Sequence, residues 1–166
     1  MRYKIREILL VSSIYDNYLF EEDGRLYELI REEYQSLNLS FAPELIHSAT
    51  GEEALEMLSG DHSFDLIITT LHIEDMHVIK FAQMVRQSGI NLPIILLAYD
   101  NRERKELTTN YDTSIFERIF IWSGDYRLLI AIVKYIEDRI NVENDTKNIG
   151  VQSIIVVEDN IKFYSS

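Results

Sequence analysis

Phe64-Asp65-Leu66-Ile67-Ile68-Thr69-Thr70-Leu71-His72-Ile73-Glu74-Asp75-Met76-His77 is the stretch on which the reading of this chain turns. Phe64 to Thr69 is apolar or β-branched almost without interruption. A strand buried on both faces of a parallel sheet needs that continuity, whereas a strand with one wet face would alternate. A loop of acids and histidines follows, and a helix is predicted from about Asp75 to Gln87.

Working upstream, Ile8 to Val11 is a second apolar run and reads as the first strand. Leu19, Leu26, Leu29, Ile30 and Tyr34 recur at helical spacing between Asp16 and Leu37, with Gly24 as a weak point. Pro43 closes a turn before a strand at Glu44 to Ser48, and Thr50-Gly51-Glu52-Glu53 carries the hydroxyl-then-glutamate pattern of a helix start. That helix runs through Leu58. Downstream, Gly89 and Pro93 punctuate before a strand at Ile94 to Ala98. Asp100 and Glu103 repeat the capping pattern for a short polar helix ending near Asn110, Arg118 to Trp122 is a fifth strand, and Asp125 to Ile140 is a final amphipathic helix. Five strands alternating with five helices imply an open, doubly wound α/β sheet, because right-handed crossovers place helices on both faces. The flavodoxin-like parallel order 2-1-3-4-5 is expected.

Composition narrows the function. The chain has 166 residues and a formal net charge of −12, so nucleic acid is not expected as a partner, since a phosphate backbone is held by clustered cations. Ten tyrosines without a basic groove read as scattered half-buried side chains and not as a stacking platform. No cysteine is present, which removes disulfides and thiolate metal sites. The apolar run after Met1-Arg2-Tyr3-Lys4 is too short for a signal-peptide core, and no stretch is long enough to span a bilayer. The expectation is a cytoplasmic protein with no membrane contact.

The order of elements and the motifs at the strand ends resemble the response-regulator receiver (CheY-like) family of two-component phosphorelays, over roughly residues 1–140. Receivers carry an acidic pair after the first strand, an acceptor Asp ending the third, a hydroxyl after the fourth and Lys-Pro after the fifth. Here the matching positions hold Ser12 and Ser13, Thr70, Leu97, and Trp122-Ser123; Glu74 and Val78 stand where the loop usually has Pro and Gly. The resemblance therefore implies a pseudo-receiver. Serine hydroxyls are poor substitutes for the carboxylates that magnesium wants. Thr70 cannot form an acyl phosphate, and an indole offers no charge to the transferred phosphoryl group. Loss of several cooperating groups is hard to rescue. The expectation is a non-catalytic module with no cofactor and no metal, acting through protein contacts.

Nearby groups offer alternatives to that reading. Asp16 and Asp75 read as helix-start residues, where a carboxylate meets the helix dipole favourably. His72 and His77 flank Glu74 and Asp75 without a metal-binding helix spacing, and no group is evident to orient His72 as a base for an alcohol nucleophile. A competing class is a small-molecule sensor using the crevice at the carboxyl ends of the strands, with Ser12, Ser13, Thr70 and Ser123 lining it. A third is an active receiver with displaced chemistry.

On the last helix Leu129, Ile132, Val133, Ile136 and Ile140 form the core stripe, while Leu128, Ala131 and Tyr135 widen the apolar arc. Receivers pair or meet partners through this region, so the three are a candidate interface, including for a homodimer. Beyond it, residues 141–150 read as a polar linker, and Ile154-Ile155-Val156-Val157-Glu158-Asp159 within 151–166 resembles the first strand of a second receiver with its acidic pair retained. The expected partners are thus other domains of the same polypeptide. The resemblance extends to bacterial proteins with tandem receivers and a phosphoenolpyruvate/pyruvate-binding domain of the pyruvate phosphate dikinase type.

Overall fold

The computed structural model describes residues 3–14, 26–37, 39, 42–123 and 125–149. Five strands, β1 (Glu7–Val11), β2 (Glu44–Ser48), β3 (Leu66–Thr70), β4 (Ile94–Ala98) and β5 (Arg118–Ile121), alternate with helices α1 (Leu26–Ser36), α2 (Gly51–Ser59), α3 (Val78–Gln87), α4 (Asn101–Asn110) and α5 (Arg127–Ile149). The sheet is parallel throughout, in the order β2-β1-β3-β4-β5. This is the expected doubly wound architecture.

Every residue of β3 and β4 is buried, as their unbroken apolar sequence requires. Strand parity then divides the core in two. Ile8, Leu10, Leu66, Ile68, Ile95, Leu97 and Phe120 pack with α1 and α5 on one face. Leu9, Val11, Ile67, Ile94 and Leu96 pack with α2, α3 and α4 on the other. Each fully buried Leu or Ile is worth about 1.5–3 kcal/mol, so this two-sided burial dominates the stability of the fold.

Two helix boundaries differ clearly from expectation. Helix α3 begins at Val78 and not near Asp75, because the imidazole of His77 caps it by accepting the Ile79 N–H at 3.1 Å. Helix α5 does not break at Ile140 but continues to Ile149, so residues 141–149 are helical. Asn141 helps hold that continuation: its side chain accepts the Tyr3 N–H at 2.7 Å and donates to the Tyr3 carbonyl at 3.2 Å. Of the helix expected over Asp16 to Leu37, residues 26–36 are helical, while Asp16, Leu19 and Gly24 lie outside the described residues, as do residues 151–166. Gly89 has φ of +83°, the left-handed conformation that lets the chain turn after α3.

The N-terminal segment forms a strap. Glu137 on α5, 4% exposed, accepts the Ile5 N–H at 2.9 Å and is paired with Lys134 at 3.2 Å and Lys4 at 3.8 Å. Asp65, just before β3, accepts the N–H groups of Arg6 and Glu7 and the Tyr3 hydroxyl. Among the described residues no helix is long and apolar enough to cross a membrane.

Candidate functional site

In a doubly wound sheet, ligands bind beyond the carboxyl ends of the strands, where order reverses beside β1 and β3. Ser12 and Ser13 leave β1 there, and Thr70 ends β3 with Leu97 as its partner across the β3–β4 ladder. Trp122 follows β5, held by its N–H donating to the Ala98 carbonyl at 2.7 Å. The five positions therefore share one rim, but what they offer it differs.

The hydroxyl groups are turned inward. Ser12 and Thr70 are fully buried, and Ser13 is 9% exposed. The Ser12 hydroxyl lies 3.0 Å from Nε2 of His47 on the neighbouring strand β2, and the same nitrogen is 2.9 Å from the Ser12 carbonyl. Thr70 donates its hydroxyl to the His72 carbonyl at 3.0 Å, and that carbonyl also accepts the Ser13 N–H at 2.8 Å. Thr69 turns its hydroxyl onto the Thr70 carbonyl. Oxygens bonded in this way are satisfied by the protein itself, and drawing them out to a ligand would break those bonds at about 0.5–1.5 kcal/mol each.

Leu97 and Trp122 belong to the core. Both are at most 5% exposed and lie in the cluster that includes Phe120 and Leu128. Ala98, the last residue of β4, offers no side-chain oxygen either.

Glu74 and Asp75, the acids of the loop after β3, are committed to backbone groups. Glu74 accepts the Ile14 N–H at 3.0 Å. Asp75 accepts the N–H groups of Gly51 at 2.7 Å and Glu52 at 3.1 Å, so it sits at a helix start, but that of α2 and not of α3. Met76 packs beside it so closely that a Cβ on Gly51 would lie 2.5 Å from the Met76 sulfur. The loop after β3 is thus fastened to β1 and to α2. His72 and His77 pair through their backbones and turn their rings toward α4: His72 Nε2 is 3.6 Å from Glu103, and His77 lies 4.8 Å from the Tyr111 ring. No cluster of three or more His, Asp or Glu suited to a metal occurs among the described residues.

Sequence reasoning missed His47 and misplaced Asp75. The order β2-β1 alone would have placed the end of β2 beside Ser12, and the ladder pairs His47 with Leu10. Nothing local reveals that Asp75 reaches across to α2.

No protein-family model matches this sequence, and neither does any curated protein. Solved structures do match. The signal receiver domain of an HD domain-containing protein from Pseudomonas fluorescens Pf-5 aligns with 19% identity over 87% of this chain and 96% of its own, with a TM-score of 0.57. A two-component response regulator from Clostridium difficile gives 20% identity, 82% and 98% coverage and a TM-score of 0.57. The response regulator protein TrrA from Thermotoga maritima, solved with Mg²⁺-BeF, gives 23%, 79%, 98% and 0.53. The chain has the receiver fold. At these identities the likeness is one of fold.

Within the receiver fold, the surface beside β5 and α5 was the expected interface. Leu128 is withdrawn from it: at 1% exposure it is a core residue beside Leu97 and Trp122, because α5 sits deep enough to bury both flanks of its apolar stripe. Ala131 and Tyr135 remain half-buried. Tyr135 meets Phe120 edge-on at 6.3 Å, with the Arg118 guanidinium 5.5 Å from its ring centre. Much of that ring is already covered by its own chain.

Proposed function

We propose that this receiver-fold chain is a signalling module of the two-component type that acts through protein contacts and is not phosphorylated on an aspartate. The observation that carries the proposal is the state of the rim: Ser12, Thr70 and Trp122 are buried and bonded or packed within the protein at the positions that need carboxylates and an amine. Magnesium retains an octahedral shell of hard oxygens and is held by carboxylates, which these positions lack. A threonine hydroxyl donating to a carbonyl has no base to activate it. The module would then transmit position and contact, with other domains of its own polypeptide as the first partners.

The continuation of α5 suits that role. Nine helical residues beyond Ile140 carry the chain about 13 Å further at 1.5 Å per residue. A stiff helix of this kind joins the module to whatever the Val156-Val157-Glu158-Asp159 segment begins, which in this reading is a second receiver preceding a phosphoenolpyruvate/pyruvate-binding output domain.

Incubation with acetyl phosphate and Mg²⁺, read by intact mass, tests the proposal. The expected spectrum is that of the unmodified chain. A covalent phosphoryl adduct on residues 1–140 would refute it. Isothermal titration with nucleotides and phosphoenolpyruvate separates it from the small-molecule sensor, since a stoichiometric heat would favour the sensor.

A further inference from the structure

Between the loop after β3 and helix α4 lies a cleft of about 360 Å³. Its size is at the lower end of ligand sites, which run from about 300 to 1,000 Å³, so it suits a side chain better than a cofactor. The floor is apolar, formed by Leu107, 5% exposed, and half-buried Leu71. One end is aromatic, where Tyr111 stands beside His77 with 45% of its surface exposed.

The charge along α4 is sorted about this cleft. Glu103, Glu106, Leu107 and Asn110 recur at the spacing that shares one helix face, and all four line it. Arg102, Arg104 and Lys105 are exposed and are not among its lining residues. A helix with more cations than acids therefore presents both acids, and none of these cations, to one concavity. Glu103 is held there by accepting the Tyr99 N–H at 2.9 Å, and Nε2 of His72, which also lines the cleft, stands 3.6 Å from it. Glu106 has no hydrogen-bond or ion-pair partner among the described residues, so its carboxylate is available.

We propose that this cleft receives a basic side chain, specifically an arginine, from a partner protein. An arginine suits the part of the cleft beside the two imidazoles of His72 and His77: its methylene stem covers Leu71 and Leu107, its planar guanidinium lies on the exposed Tyr111 ring, and its N–H groups meet the Glu106 carboxylate. Lysine satisfies the charge but neither the stacking nor the two-pronged bond. The assignment rests on the protein-contact reading above and gives the partner a chemistry. It also puts docking on the α4 face turned toward the loop after β3, away from Tyr135.

The test is a titration of the full chain, isotope-labelled for backbone NMR, with N-acetyl-arginine amide, and with the lysine and glutamine amides as comparisons. A single residue should bind in the millimolar range. The expected result is saturable shifts centred on Glu106, Asn110 and Tyr111, strongest with arginine. Glu106→Gln and Tyr111→Leu, both at exposed positions, should each weaken binding by about two- to five-fold. Glutamine or lysine binding as well as arginine, shifts scattered over the acidic surface, or an unchanged affinity in Glu106→Gln would overturn it. If arginine fails while acetyl phosphate leaves the chain unmodified, the cleft assignment falls alone; an acyl phosphate adduct would remove the reading beneath it.

Discussion

Replacing Trp122, the residue that follows β5, by lysine should be destructive. The indole is 5% exposed within the cluster formed by Leu97, Phe120 and Leu128. A tryptophan buries about 150–250 Å², worth roughly 4–6 kcal/mol at 25 cal/mol per Å². The four methylenes of lysine return about 3 kcal/mol of that at 0.8 each. The amine must then lose its proton or remain poorly solvated, adding about 1–3 kcal/mol. The sum is a destabilisation of about 2–6 kcal/mol, a large part of a typical domain's 5–15. With a urea m-value of about 1.5 kcal/mol/M, the midpoint should fall by roughly 1.3–4 M. Far-UV circular dichroism is the right assay, because Trp122 is the chain's single tryptophan and its fluorescence is lost with it. Trp122→Phe, which keeps an apolar ring, should move the midpoint by less than half as much. A lysine variant within about 0.3 M of wild type at unchanged m would refute the claim that the core has closed over this position.

Asp75→Ala should cost about 1–2 kcal/mol, since it frees two N–H groups at the start of α2, and it should speed hydrogen exchange at Gly51 and Glu52. Wild-type exchange rates at those two amides would show that the loop is fastened by other contacts. Alkaline pH should unfold the protein. Burial, reinforced by Asp65 at Tyr3 and by Glu137 at Tyr34, raises both phenols well above their usual 10.0. The unfolded chain releases these protons first, so stability is complete below about pH 10 and declines as pH rises toward the folded values. Tyr34→Phe should flatten that decline without loss at neutral pH, because its buried hydroxyl has no hydrogen-bond partner among the described residues. Urea midpoints from pH 7 to 11 check both parts.

The sheet was legible because parallel strands covered on both faces leave a signal that needs no context. Ile94 to Ala98 was bounded correctly, and so was Glu44 to Ser48. Helix ends were less legible, since what settles them lies elsewhere in the chain. Asp75 looks like the start of its own helix, yet its carboxylate serves α2, and His77 takes the cap. The run after Ile140 has the composition of a linker, and its helix is supported by a bond between Asn141 and a backbone 138 positions away. Leu128 looked peripheral on a helical wheel because a wheel does not say how deeply the helix sits. At the candidate site the strand ends were legible, which placed Ser12, Thr70 and Trp122 on one rim. The bonds around Ser12 and Thr70 required coordinates, since His47 meets Ser12 only across strands and the Thr70 hydroxyl folds back onto the His72 carbonyl two residues on.

The strap at the N-terminus has a geometric corollary. Because Tyr3 is clasped by Asn141, the segment that leads into β1 lies against α5 about 12 Å before the helix reaches Ile149. A torque applied to α5 beyond Asn141 would therefore be passed to the segment that leads into β1.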